Sequence, residues 1–300
     1  MKVIVAGATG VIGRSLVPQL AAAGHEVIQL SRSSGTDLLD RDAVRQAVQA
    51  AEPDAVVHMA TAIPADLNPK EIARQFELTN RLRTEGTRNL LDAAADAGVR
   101  RVITQGLAYA YEPGRGAADE DAPLWVRPPG QFAPILAALK ELDRRTLDAK
   151  GLVLRFGHLY GPGSAYAPDG WTTQQVRAGQ FPIAGRGESV FSFTHADDAA
   201  AAVVAALPGN DAGLLNIVDD EPVSAGQWLP AFAALVGAPA PRHVPAALVR
   251  VAAGGWGAAF MTQLRGASNA RAKATLGWQP QYRTWLEGFA SMYPGQPHHS

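Results

Sequence analysis

Three hundred residues, 47% of them hydrophobic, describe one large α/β domain or a core domain with a smaller appended one, with enough apolar matter for a sizeable core. A formal net charge of -1 at pH 7 provides no field for nucleic acid or an anionic membrane, so the expected partner is a small molecule. The absence of cysteine excludes a disulfide framework, a thiolate metal site and a cysteine nucleophile.

From the N-terminus, residues 2–6 form a short apolar strand that runs directly into Gly7-Ala8-Thr9-Gly10-Val11-Ile12-Gly13. The glycines stand between a strand and the helical pattern Ile12, Leu16, Leu20, which predicts a dinucleotide-binding turn. Gly7 permits the sharp bend, Gly10 lets a pyrophosphate approach the backbone, and Gly13 lets the helix pack close to the sheet. The amides from Thr9 through Val11 and Ile12 then face the anion. Pro18 withholds a helical hydrogen bond and is expected to bend this helix, which stops near Gly24.

Further strands are predicted over 26–30, 55–59, 101–104, 151–156 and 214–218, with helical patterns between them and Gly98 closing the helix before the fourth. Such alternation implies right-handed βαβ units, hence an α/β fold with a Rossmann-type doubly wound parallel sheet. After the second strand, Ser31-Arg32-Ser33 places a guanidinium and two hydroxyls where an acid would hold the ribose of NAD. That favours NADP as cofactor, through its 2′-phosphate. The texture changes after Tyr160 and again after Asp219. A Rossmann core over 1–160, completed by about 196–218, is therefore expected to carry a small, mostly helical C-terminal substrate lobe built from 161–195 and 219–300. Ligands in open parallel sheets lie beyond the carboxyl ends of the strands, so the loops after Thr104, Phe156 and Thr194 should hold the chemistry. Residues 294–300 read as a loose end. No leader or apolar stretch of membrane length is evident, and the expected location is the cytoplasm.

Several motifs in order resemble the extended short-chain dehydrogenase/reductase superfamily, which includes nucleotide-sugar epimerases and dehydratases. Besides the glycine turn, they are Asp37-Leu38, His58-Met59-Ala60-Thr61, Gly86-Thr87-Arg88-Asn89-Leu90-Leu91, the run from Leu154 to Gly163, Phe193-Thr194-His195-Ala196-Asp197-Asp198 and Leu276-Gly277-Trp278-Gln279-Pro280. The resemblance implies cofactor contacts at Asp37, Leu38, Met59, Ala60, Thr61, Thr104, Phe156 and His158. It also implies pairing across a homodimer through helices beside residues 86–97.

The family's Ser or Thr, Tyr and Lys relay is where this chain departs. Aligning Lys140 with the lysine puts Leu136 at the tyrosine, and Tyr111 aligns so that Leu107, or Gly106 in a shifted register, takes the serine position. Leucine transfers no proton. Lys140 retains an implied role at the nicotinamide ribose, the alternative being a solvated helix residue. Tyr109 first and His158 second are expected to supply the proton in place of Leu136, with a structural histidine as the alternative for His158. Leu107, Tyr109, Leu136, Tyr166 and Trp171 are expected to line a mostly apolar substrate pocket. No metal-ligating cluster stands out. The expected activity is NAD(P)-dependent oxidoreduction of a small, fairly apolar carbonyl or alcohol. The rivals are a non-redox lyase, isomerase or cyclase on the same fold, and an NADP-sensing regulator without turnover.

Overall fold

The computed structural model describes residues 1–293; the expectation for 294–300 lies outside them. The chain runs β1 (Lys2–Ala6), α1 (Val11–Ala22), β2 (Glu26–Leu30), α2 (Arg41–Ala51), β3 (Ala55–His58), α3 (Ile72–Gln75), α4 (Glu77–Arg81), a π-helical turn (Leu82–Gly86), α5 (Thr87–Asp96), β4 (Arg101–Leu107), α6 (Ala133–Asp148) and β5 (Leu152–Phe156). There follow β6 (His158–Tyr160), α7 (Trp171–Arg177), β7 (Ile183–Ala184), β8 (Val190–Phe191), β9 (Phe193–His195), α8 (Ala196–Ala206) and β10 (Gly213–Ile217). The last elements are β11 (Val223–Ser224), α9 (Ala225–Leu235), β12 (His243–Val244), α10 (Ala246–Thr262), α11 (Ala270–Leu276) and α12 (Trp285–Met292).

Six strands form one sheet in the order β10-β5-β4-β3-β1-β2, and every pairing in it is parallel. This is the doubly wound Rossmann-type α/β sheet expected from the alternating pattern. The strand order reverses between β1 and β3, which places the topological switch point beside the glycine turn. Continuous apolar runs such as Val3-Ile4-Val5-Ala6 are fully buried, because helices cover both faces of a parallel sheet. On one face α1 packs against α8 above Val3, Val5, Leu16, Leu20 and Val203, and on the other α2 packs against α5 above Ile4, Val44, Val48 and Leu90.

Four strands differ from the sequence reading in their bounds: β3 stops at His58, β4 continues three residues past Thr104 to Leu107, β5 begins one residue later at Leu152, and β10 is shifted by one residue to Gly213–Ile217. The extension of β4 follows from pairing: Gln105, Gly106 and Leu107 find Leu154, Arg155 and Phe156 on β5. Gly106 belongs there, since a Cβ would stand 2.8 Å from the Arg155 side chain. α1 runs without interruption through Pro18 and is followed by Gly24 at φ +78°.

Beyond the sheet, three two-stranded ladders, β6 with β9, β7 with β12 and β8 with β11, join α7, α9, α10 and α12 around a second apolar cluster. Trp228, Phe232, Phe191, Phe193 and Phe289 are fully buried in it. Leu107, Ile135, Leu136 and Leu139 belong to the same cluster, so the second core is continuous with the ends of β4 and α6. No helix among the described residues is long and apolar enough to cross a membrane.

Candidate active site

The switch point is built by steric necessity. Gly7 sits at φ +91°, and a Cβ there would lie 2.6 Å from the Ala60 nitrogen, so the turns after β1 and β3 touch through backbone alone. A Cβ on Gly13 would meet the Gly7 carbonyl oxygen at 2.2 Å, which is why α1 starts so close to the loop. Gly10 caps α1 without any side-chain hydrogen bond, leaving the amides of Val11 and Ile12 at the positive end of the helix dipole. Arg14 donates to the Thr9 carbonyl at 2.9 Å and stiffens the loop. A shallow backbone cradle of this kind fits a dinucleotide pyrophosphate. When bound, a reduced nicotinamide dinucleotide supplies a hydride.

Along the expected adenosine side, Ser31 caps a single 3-10 turn over Arg32–Ser34, and its Oγ lies 2.9 Å from that of Ser33. Arg32 is exposed and joins no ion pair among the described residues. Asp37 is exposed and accepts the Leu39 amide at 3.0 Å; Leu38 is buried, its carbonyl taking the Asn89 side-chain amide at 3.0 Å. Met59 is buried, while Ala60 and Thr61 remain partly open beside Gly7. Thr104 is fully buried with its hydroxyl 3.0 Å from that of Thr146, so its side chain ties α6 to the sheet, and the side chain of Phe156, the last residue of β5, is fully buried in the core.

At the reaction end, Leu107, Leu136, Tyr109 and Tyr166 come together in one apolar cluster, and Trp171 opens α7 half-buried. Lys140 does not join them. It is exposed and donates to the Trp125 carbonyl at 3.3 Å, because the buried stripe of α6 is Ile135, Leu136, Ala138, Leu139, Leu142 and Asp143. One residue turns a helix by about 100°, enough to take Lys140 off the inward face. That face also carries Thr146 and Asp143, whose Oδ2 accepts Arg155 Nη2 at 2.6 Å in a buried ion pair. Arg155 Nη1 also donates to the Tyr111 hydroxyl at 3.0 Å, and that hydroxyl donates to Asn216 Oδ1 at 2.7 Å, so Tyr111 is structural.

Tyr109 and His158 stack with ring centroids 4.3 Å apart and planes 13° apart. Phe191, Phe193 and Phe260 surround the imidazole on its other sides. Burial pushes His158 down to about 3, so the ring is neutral in the physiological range, which disfavours its expected role as a general acid. Burial raises the Tyr109 phenol, and the nearby Arg83 charge works against that rise.

Arg83 is the residue that sequence reading passed over, and His58, read there only as part of a motif, is its neighbour. Arg83 is 2% exposed and both of its terminal nitrogens lack hydrogen-bond partners. Arg83 lies in the π-helical turn, whose Leu82 carbonyl accepts the Thr87 amide and also His58 Nε2–H at 3.2 Å. Burial lowers Arg83 to about 10 and His58 to about 4. Spacing was the available signal for Arg83, since Thr79, Arg83 and Thr87 recur every four residues and all face inward.

The sequence model of the NAD-dependent epimerase/dehydratase family matches residues 3–217. A 3-diazoavenalumate denitrifying reductase from a Streptomyces species is 46% identical over 96% of this chain and 99% of its own length. A dTDP-4-dehydrorhamnose reductase from Mycolicibacterium smegmatis is 30% identical over 72% of this chain and 63% of its own. Among solved structures, human epimerase family protein SDR39U1 with NADPH superposes with a TM-score of 0.78 at 23% identity, covering 98% of this chain and all of that one. The UDP-glucose 4-epimerase of Thermus thermophilus, in complex with NAD, gives 0.73 at 24% identity over 99% of this chain and all of its own.

Proposed function

The chain belongs to the NAD-dependent epimerase/dehydratase family, and from that membership we propose that it is an NADP(H)-dependent reductase whose hydride acceptor leaves no proton for the protein to deliver. The observation that carries this reading is the composition of the inward surface: Ile135, Leu136 and Leu139 from α6 and Leu107 from β4 are all buried hydrocarbon. None can protonate a nascent alkoxide. A diazo carbon is an acceptor suited to such a site, and the Streptomyces relative, by its name, is a reductase of a diazo compound. With an arenediazonium ion, a C–H bond forms at the ring carbon as the C–N bond breaks, and the bonding pair leaves in dinitrogen. The charges balance without an acid. The protein's part is to hold the acceptor in a dry aromatic crevice between Tyr109 and the leucines, where water cannot compete as nucleophile.

The experiment is NADPH oxidation with benzenediazonium as probe, following dinitrogen release and transfer of deuterium from C4-labelled NADPH into benzene. One dinitrogen per NADPH is expected, above the rate without protein. Tyr109→Phe should keep turnover within about threefold, whereas loss of a general acid typically costs about 10²–10⁴-fold. A carbonyl substrate reduced in place of the diazonium, with a Tyr109→Phe defect of that larger size, would establish the second reading, reduction of an apolar carbonyl. The observation favouring that alternative is the Tyr109 phenol close to the Arg83 charge.

Arg32 supports NADP over NAD, because an exposed guanidinium flanked by Ser31 and Ser33 suits a 2′-phosphate. Arg32→Ala should weaken NADPH binding about tenfold or more and leave NADH unchanged, by calorimetric titration of both. Equal losses for the two dinucleotides would refute the assignment.

A further inference from the structure

Arg83 is a buried cation for which the fold provides no counter-ion. Guanidinium is costly to remove from water unless it is paired and hydrogen-bonded, yet Nη1 and Nη2 are both unpartnered at 2% exposure. Three titratable groups from neighbouring elements feel its charge: His58 at the end of β3, Tyr109 beyond β4 and Asp143 on α6. None satisfies it. His58 turns its Nε2–H to Leu82 and is neutral, Tyr109 is an uncharged phenol, and Asp143 is bonded through Oδ2 to Arg155 while its Oδ1 makes no hydrogen bond. His58 and the π-helical turn nevertheless hold the backbone that carries Arg83 in place.

The location decides what kind of anion is missing. The pyrophosphate cradle follows β1, whereas Tyr109 follows β4, and β3 lies between those strands. Arg83 stands in the turn that packs on His58 at the end of β3, and its charge is felt at Tyr109 beyond β4, while the glycine turn after β1 already provides a cradle for the cofactor phosphates. Around Tyr109 the surroundings are apolar: Leu107, Leu136 and Tyr166 share its cluster.

We propose that Arg83 binds a carboxylate of the substrate, presented on an otherwise apolar aromatic body, and so selects an aromatic acid at the hydride-accepting end of the crevice. This rests on the reductase reading of the same site. A guanidinium fork matches a carboxylate through two parallel hydrogen bonds, and a dry setting strengthens both. Selection works against neutral analogues too, since they would leave the buried charge unpaired.

The test uses the full chain saturated with NADP⁺ and titrated calorimetrically with cinnamate, with cinnamamide as the neutral control. Cinnamate should bind the wild type, cinnamamide at least about tenfold more weakly, and Arg83→Met should lose at least about tenfold for cinnamate alone. Arg83→Lys, which keeps the charge without the fork, should fall between them. NADP⁺ affinity should be unchanged in both variants. Without ligand, Arg83→Met should melt at or above the wild type, because an unpaired buried charge has been replaced by hydrocarbon of similar length.

Failure of cinnamate to bind the wild type, equal binding of cinnamate and its amide, or equal cinnamate affinity in Arg83→Met would overturn the proposal. So would loss of NADP⁺ affinity, which would make Arg83 a cofactor ligand, or a melting point lower by more than about 3 °C, which would make it a structural ion-pair partner. Dinitrogen release reads the reductase proposal separately. With 4-carboxybenzenediazonium as a second diazonium probe, which carries the carboxylate, absence of dinitrogen release together with Arg83-dependent cinnamate binding refutes the diazo reading alone. Release without Arg83-dependent cinnamate binding refutes the carboxylate site alone.

Discussion

Between pH 6.5 and 4 the protein is expected to lose about 6 kcal/mol of stability through two buried imidazoles. Burial holds His58 at about 4 and His158 at about 3 in the folded chain. Unfolded, both titrate near 6.5. Below that value the unfolded chain takes up protons that the native state refuses, so the free energy of unfolding falls as pH falls. Each group contributes a slope of about 1.4 kcal/mol per pH unit until its folded pKa is reached. Such a loss approaches the whole stability of an ordinary domain, about 5–15 kcal/mol, and places acid unfolding near the lower end of that window. Asp198 and Asp219 act in the opposite direction, since burial raises both and acid relieves them.

A difference measurement isolates the imidazole. His158→Phe keeps the stack on Tyr109 and removes a ring nitrogen that has no hydrogen-bond partner. Urea denaturation at several pH values should show the variant's slope reduced by one proton equivalent between pH 6.5 and 4. An unchanged slope would mean that His158 is protonated or solvated in the native protein, and its assignment as a neutral core ring would fall.

Asp143→Ala should cost about 3–5 kcal/mol, the second large effect, because it strands the Arg155 guanidinium in the core. Arg155 is 4% exposed, and its remaining partner is the neutral Tyr111 hydroxyl at 3.0 Å. The pair joins α6 to β5, and β5 in turn carries β4 and the leucine at its end. Misplacing α6 would therefore shift Leu136 and Leu139 relative to Leu107, so cofactor-dependent activity should fall along with stability. Replacing both partners, Asp143→Leu with Arg155→Met, should recover most of the loss, since hydrocarbon in that space leaves no charge uncompensated. Thermal and urea melts of the two single variants and the double give the coupling directly. A single-variant loss below about 1 kcal/mol would place the pair among the weak surface-type bridges and contradict its burial.

The parts legible in the sequence were those that local chemistry decides. Apolar runs of strand length alternating with helical patterns yielded the parallel sheet. Glycines at Gly7 and Gly13 marked the cradle because no other residue fits there. Leu107 and Leu136, where alignment with the family puts its serine and tyrosine, already pointed away from the usual proton relay. Other features depended on helical phase and on contacts between distant segments. Lys140 and Leu139 are adjacent in sequence, yet about 100° of rotation puts one in solvent and the other in the core, and that phase is set by tertiary contacts: the packed stripe of α6, Thr146 against Thr104 and the Asp143–Arg155 pair. His158 looked like an acid because its type titrates near neutrality; three phenylalanines and a tyrosine brought in from elsewhere lower its pKa. Arg83 reads as one more cation in a charged helix until the fold surrounds it with His58, Tyr109 and Asp143, residues up to 60 positions away along the chain. Secondary structure follows from near neighbours in sequence, whereas the desolvation that sets a charge's partner and a ring's protonation is a property of the assembled core.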